Sequence, residues 1–140
     1  PPFGVWAAPR DGARLDVLDA TVAGTADTPY ANGLFHVEVR VPDAYPIEPP
    51  SVRFVTRIYH PNIDARGRIC LDTLVMPPKG AWAPSLTIGA VLASVQQLMN
   101  APNADDGLDA DVTEEFRRDY ATFYANALRC TRRYASPDAA

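Results

Sequence analysis

Four prolines fall within residues 42–50, at Pro42, Pro46, Pro49 and Pro50, and they limit this chain more than any other feature. Each lacks an amide donor and fixes φ at about −65°, so neither a helix interior nor a central strand can pass through. The stretch therefore predicts an extended, irregular crossing between two strands. Upstream, residues 34–41 alternate: Phe35, Val37, Val39 and Val41 share one face, His36, Glu38 and Arg40 the other. That is the pattern of a half-buried antiparallel strand, with His36 expected to be simply solvated. Downstream, Val52-Arg53-Phe54-Val55 predicts a second, short strand. Residues 15–22 predict a strand after the Asp11-Gly12 turn, and Phe3, Val5 and Trp6 a short edge strand behind Pro1-Pro2. Residues 24–33 read as turns.

Helical periodicity appears only later. The spacing predicts a buried core helix over Ile88–Asn100, entered through Ser85 or Thr87 as N-cap, with Ile88, Val91, Leu92, Val95, Leu98 and Met99 on one stripe. Residues 112–134 predict one or two amphipathic helices with Phe116, Tyr120, Phe123, Ala127 and Leu128 inward. Cys130 falls on roughly the same face and reads as packed. Brief strands followed by helices in the C-terminal half define an α+β domain built on an antiparallel meander. At 140 residues, with no linker, repeat or low-complexity segment, one domain with a sizeable core is expected.

Composition narrows the function. No apolar run approaches membrane-spanning length and no signal peptide is recognisable, so no membrane role is expected. Two cysteines are too few for a disulfide framework and suit a reducing cytoplasmic or nuclear compartment. A net charge of −4 argues against a nucleic-acid footprint. Of thirteen basic residues only Lys79 is lysine, a bias explained by base composition or by an enzyme that handles lysine-reactive intermediates.

The chemistry concentrates in residues 60–72. Asp64-Ala65-Arg66-Gly67 reads as a turn, and beyond it Ile69 and Leu71 alternate with Cys70, which points the thiol outward if the segment is extended. Asn62 lies eight residues before the cysteine and Asp72 two after it. Zinc binding is a weak reading, because Cys70 and Cys130 are far apart and no C-x-x-C occurs. A cysteine hydrolase needs a base, and His60, the only candidate, is more naturally a backbone partner in the His60-Pro61-Asn62 turn. Thioester exchange needs no triad, no metal and no cofactor. An ordinary cysteine, pKa about 8.5, is a few per cent thiolate at neutral pH. Attack by an amine then calls for an oxyanion donor such as the Asn62 amide. Carboxylates that orient the incoming ammonium, Asp72 and Asp106, complete the requirement. Asp72 reads equally well as a loop cap, and Asp105 better as a cap than as a catalyst.

These motifs, in their order and spacing, resemble the ubiquitin-conjugating enzymes over nearly the whole chain. The likeness rests on Tyr45-Pro46 with Pro49-Pro50, Tyr59-His60-Pro61-Asn62-Ile63, Gly67-Arg68-Ile69-Cys70-Leu71-Asp72, Trp82-Ala83-Pro84-Ser85-Leu86 and Pro102-Asn103-Ala104-Asp105-Asp106. The loop Pro77-Pro78-Lys79-Gly80-Ala81-Trp82 is similar to that of the T-type members, which implies a DNA-repair setting. The resemblance implies that Cys70 carries the C-terminal glycine of ubiquitin as a thioester received from an activating enzyme in an ATP-dependent cascade. It implies that Asn62 supports the loop and the oxyanion, that Asp72 and Asp106 prepare the acceptor lysine of a protein substrate, and that Leu108 packs beside the ubiquitin tail. Phe54, Pro84 and Ser85 match the surface that docks a RING-type ligase; His60, Pro61 and Trp82 are expected to be structural. Lys79, flanking the cysteine, is the expected place for self-modification, against the plainer reading of a solvated lysine.

Two departures from the family pattern carry expectations. The family usually has a helix with basic residues before the position of Pro1, and without it charging is expected to weaken. Gly107 replaces a usual proline and is expected to loosen the loop that holds Asp106. The competing readings are a non-catalytic binding module of the RWD-type, which would lack the cysteine, and a cysteine hydrolase using His60.

Overall fold

Alternation in the strands decides the architecture, because three columns of inward side chains line up across a single sheet. The computed structural model describes residues 4–137. Its strands are β1 (Val5–Asp11), β2 (Arg14–Ala23), β3 (Leu34–Arg40) and β4 (Ser51–Phe54), in the order β1-β2-β3-β4 and all antiparallel. Val5, Val22 and Phe35 stand opposite one another, as do Val37 and Phe54, then Leu18, Val39 and Val52. All of these but the half-buried Leu18 are buried. The meander and its C-terminal helices are the expected α+β fold. β1 is longer than expected and runs through Pro9, which an edge strand tolerates; only Val5 of it is buried. The Phe3 part of that expectation lies outside the described residues.

Helix α1 (Ile88–Asn100) closes the core with Val91, Leu92, Val95 and Met99, and its N-cap is Thr87, whose side chain accepts from the Ala90 amide. The second helical region is two helices, α2 (Ala110–Arg118) and α3 (Tyr120–Tyr134), broken at Asp119. Asp119 ends the first by bonding to the Glu115 carbonyl and caps the second through its side chain. The break corrects one inward assignment: Tyr120 is 52% exposed and covers Phe116 and Phe123 from outside. Buried Thr131, donating to the Ala127 carbonyl, joins Phe123 and Ala127 on the inner face instead.

Two further expectations change. Residues 42–50 are a series of turns, with Tyr45 N–H donating to Pro42 O and Glu48 N–H to Ala44 O, so the crossing is compact rather than extended. Glu38, on the outer face, is nevertheless buried. Arg10 and Arg40 bond to its carboxylate at 2.9 and 2.8 Å. These bonds, Arg40 foremost, hold the carboxyl below its ordinary range. His36 is exposed, as expected.

Candidate active site

A glycine makes the turn that presents Cys70. Gly67 sits at φ +83°, and a Cβ there would meet the Phe54 carbonyl oxygen at 1.9 Å; no other residue fits. The Phe54 amide donates to Gly67 O at 2.9 Å, which fastens the turn to β4. The Asp64 carboxylate accepts from the Arg66 and Arg68 amides and from the Arg68 side chain. The chain then returns beside Ile63: Ile69 bridges it, and Cys70 N–H donates to Asn62 O at 2.9 Å. Ile69 and Leu71 pack on the core while Cys70 is exposed, the arrangement that alternation requires.

Behind this segment lies a buried polar knot. Asn62 is fully buried. Its Nδ2 donates to Asn103 O at 2.8 Å and Asp106 O at 2.9 Å, and its Oδ1 accepts from Asn103 N–H at 2.8 Å. Both amide hydrogens are thus engaged, leaving no donor for an oxyanion in this arrangement; the side chain braces the 103–106 loop. His60 is buried too, and its Nδ1 accepts from the Asn62 amide, so Nε2 bears the proton and donates to Leu98 O and Met99 O at the end of α1. Burial lowers its pKa to about 4. A neutral ring with both nitrogens committed cannot serve as a base for Cys70, which removes the hydrolase reading. Buried Pro61 accepts from the Leu108 and Asp109 amides through its carbonyl, so the segments on either side of the cleft are joined twice.

The cleft in front of the sulfur encloses about 700 Å3 and brings together Cys70, Asp72, Lys79, Asp106 and Leu108, with Leu98 and Asn103. Partial burial, and after it the negative charge of Asp106, push the Cys70 thiol above its ordinary value; both disfavour the anion. Asp72 opens a 3-10 turn, where its backbone oxygen accepts from Val75 and Ala81. Among the described residues its carboxylate takes no hydrogen bond, so the cap reading of that side chain fails. Asp105 caps nothing either. Asn103 accepts from the Asp105 amide, and the Asp105 carboxylate faces Arg117 at 3.6 Å. Asn103 also donates to the Asp106 carboxylate at 3.3 Å. Sequence reasoning left Asn103 without a role and assigned Leu98 wholly to the core.

The expected ligase surface needs one correction. Phe54 is 3% exposed and packs edge-on to Phe35 within the core, so it cannot dock a partner. Pro84 and Ser85 are exposed. Buried Trp82 donates its indole N–H to Pro46 O and Ile47 O, tying the 82–85 loop to the proline-rich crossing. Ile47, 65% exposed, is the apolar side chain this places near Pro84 and Ser85. Its signal in the sequence was an aliphatic residue between Pro46 and Glu48 that belonged to no strand or helix.

A surface thiol, two carboxylates and no base describe an acyl carrier, and comparison with known proteins agrees. The ubiquitin-conjugating enzyme family model matches residues 1–131. The chain belongs to that family, the thioester-linked acyl transferases that take ubiquitin from an activating enzyme and pass it, with a ligase, to a substrate lysine. It is similar to ubiquitin-conjugating enzyme E2 T of Bos taurus, 52% identical over 137 residues that make up 96% of this chain and 69% of the relative. The E2 T of Homo sapiens is 51% identical, with 96% and 68% covered. Ubiquitin-conjugating enzyme E2 13 of Schizosaccharomyces pombe is 47% identical, with 96% and 88% covered. The likeness of the 77–82 loop to T-type members therefore extends over the chain, and the binding-module reading falls with it.

Proposed function

We propose that Cys70 is the acyl carrier and that Asp72 and Asp106 steer its discharge. The Cys70 thiolate attacks the activated carbonyl of the ubiquitin C-terminal glycine. A carbon–sulfur bond forms as the bond to the activating enzyme's thiol breaks, and that thiol takes the proton Cys70 lost. The acceptor lysine, held as its ammonium by the two carboxylates, gives up a proton and attacks in turn. A carbon–nitrogen bond forms and the carbon–sulfur bond breaks. Of the two protons the nitrogen sheds, one goes to the Cys70 sulfur and one to solvent. The observation that carries this reading is an exposed thiol sharing one cleft with two carboxylates while the nearby imidazole is locked away. Without a base to activate water, the thioester persists until an amine arrives.

The other roles follow from position. Asn62 acts through the loop it braces, keeping Asp106 at the cleft, and Leu108 offers the ubiquitin tail an apolar wall. Ile47 takes the place proposed for Phe54 beside Pro84 and Ser85 in docking a RING-type ligase. Lys79 lines the same cleft as Cys70 and is the lysine through which the charged enzyme modifies itself. Residues 1–140 form one catalytic core acting in the cytoplasm or nucleus, and the T-type likeness favours work in DNA repair.

Incubation with ubiquitin, activating enzyme and ATP tests the carrier. The expected product is an adduct about one ubiquitin heavier that reductant removes, replaced by a reductant-resistant ester in Cys70→Ser. A reductant-sensitive adduct that survives Cys70→Ala would assign the chemistry elsewhere. For self-modification, mass spectrometry of an aged charged sample should locate ubiquitin on Lys79, and Lys79→Arg should abolish it.

A further inference from the structure

Attack on a thioester puts negative charge on the carbonyl oxygen, and Asn62, with both amide hydrogens tied, offers that charge nothing. Asn103 stands differently. It is exposed, it lines the cleft together with Cys70, and its side-chain amide is only partly used. The Asp105 amide donates to Asn103 Oδ1 at 3.0 Å, which settles which end of the amide is oxygen and turns Nδ2 the other way. One Nδ2 hydrogen reaches the Asp106 carboxylate at 3.3 Å, longer than the usual ~2.9 Å. The other has no acceptor among the described residues.

The backbone of this residue is held from behind. Asn62 Oδ1 accepts from Asn103 N–H and Asn62 Nδ2 donates to Asn103 O, each at 2.8 Å. The Asn62 carbonyl in turn accepts from the Cys70 amide at 2.9 Å. One buried residue therefore sets the segment that carries the sulfur and the residue with the spare donor at a defined spacing. The cationic donors that line the cleft lack this support. Arg68 is bound to Asp64, and exposed Lys79 is tethered by no hydrogen bond or ion pair among the described residues.

We propose that Asn103 is the oxyanion donor of the transfer step and that Asn62 is its positioning residue, an inference that rests on the Cys70 reading. As the acceptor nitrogen bonds to the thioester carbon, the carbonyl π pair moves onto oxygen, and the spare Nδ2 hydrogen meets that charge. As the carbon–sulfur bond breaks, the pair returns and the carbonyl re-forms. Asn103 neither gains nor loses a proton. A donor of this kind acts in the transition state more than in the ground state, so it raises kcat rather than lowering KM.

The test charges native protein and variants to completion with ubiquitin, activating enzyme and ATP, removes the ATP, and follows discharge to free lysine. Asn103→Ala and Asn103→Asp should each lower kcat about 100-fold and leave KM for lysine unchanged. A capping role alone would leave Asn103→Asp at the native rate, because its carboxylate still accepts from the Asp105 amide. An effect of added charge alone would leave Asn103→Ala at the native rate. Native discharge in either variant overturns the proposal. Alkylation of Cys70 by iodoacetamide, which forms no oxyanion, should keep its native rate and pH profile in Asn103→Ala; alkylation that slows in step with discharge puts the loss in a disturbed site and also overturns it. In an Asp106→Ala background, Asn103→Ala should still slow discharge severalfold or more. No further loss there would mean that Asn103 serves only to place Asp106. Native protein that forms no reductant-sensitive adduct sinks the Cys70 reading and this one with it, whereas native protein that charges beside variants that discharge normally sinks this one alone.

Discussion

Cys70 receives no help in ionising, and its neighbours work against the anion. Asp106 contributes to the raised thiol value, so replacing it with neutral Asn removes a negative charge and lets the thiolate form at lower pH. The rate of Cys70 alkylation measured against pH should shift to lower pH in Asp106→Asn, while discharge to lysine slows; an unmoved profile would detach Asp106 from the sulfur. Asn62 shows the reverse economy, with one buried side-chain amide making three hydrogen bonds. Asn62→Ala strands two carbonyls and an amide and should cost about 3 kcal/mol in denaturant unfolding. The expected oxyanion role is where the sequence misled: an Asn before a cysteine is visible in the chain, but the loop forty residues on that occupies its hydrogens is not. His60 carries the clearest pH dependence. Its folded value, about 4, lies below the ordinary 6.5, so the unfolded chain binds the extra proton first. The stabilisation is complete above pH 6.5, declines as pH falls, and is fully lost only below the folded value. The total is about 3 kcal/mol. Between pH 6.5 and 5, where most carboxylates remain charged, thermal unfolding of the native protein should lose stability that His60→Gln does not lose.

Among the elements, the strands were the most legible because a period of two is written residue by residue. Phe54 shows the limit of that reading. Its place on the inner face of β4 follows from alternation with Val52, and a motif likeness overrode that alternation wrongly. The sequence leaves one helix or two open because residues 112–134 keep an amphipathic pattern; Asp119, serving both ends at once, breaks the phase and turns Tyr120 out. At Gly107, where the sequence predicts a looser loop, the structure adds a steric constraint. The glycine's φ of −62° is open to any residue, proline included. What excludes a side chain is Thr113, whose Oγ1 would stand 2.2 Å from a Cβ and is held by a bond to Asp109 O. Gly107→Ala should therefore lower the melting temperature, and adding Thr113→Ala should restore most of the loss. If the double variant is no better than the single one, the contact is not the cause.

For the whole molecule, the sheet and α1 form a platform whose contacts are hydrophobic and dense, whereas the reacting groups sit on irregular backbone. Two turn segments, residues 60–72 and 103–108, face each other across the cleft. What joins them is chiefly the side chain of Asn62 and the carbonyl of Pro61. No strand ladder reinforces that seam. Amide hydrogens of Asn103 and Leu108 should accordingly exchange through local opening, well before those of β2 and β3, whose exchange requires global unfolding. Matched rates for both sets would mean that seam and sheet open together. A seam that opened in this way would widen the mouth of the cleft by undoing two clasps, while the scaffold that aims the sulfur stayed in place.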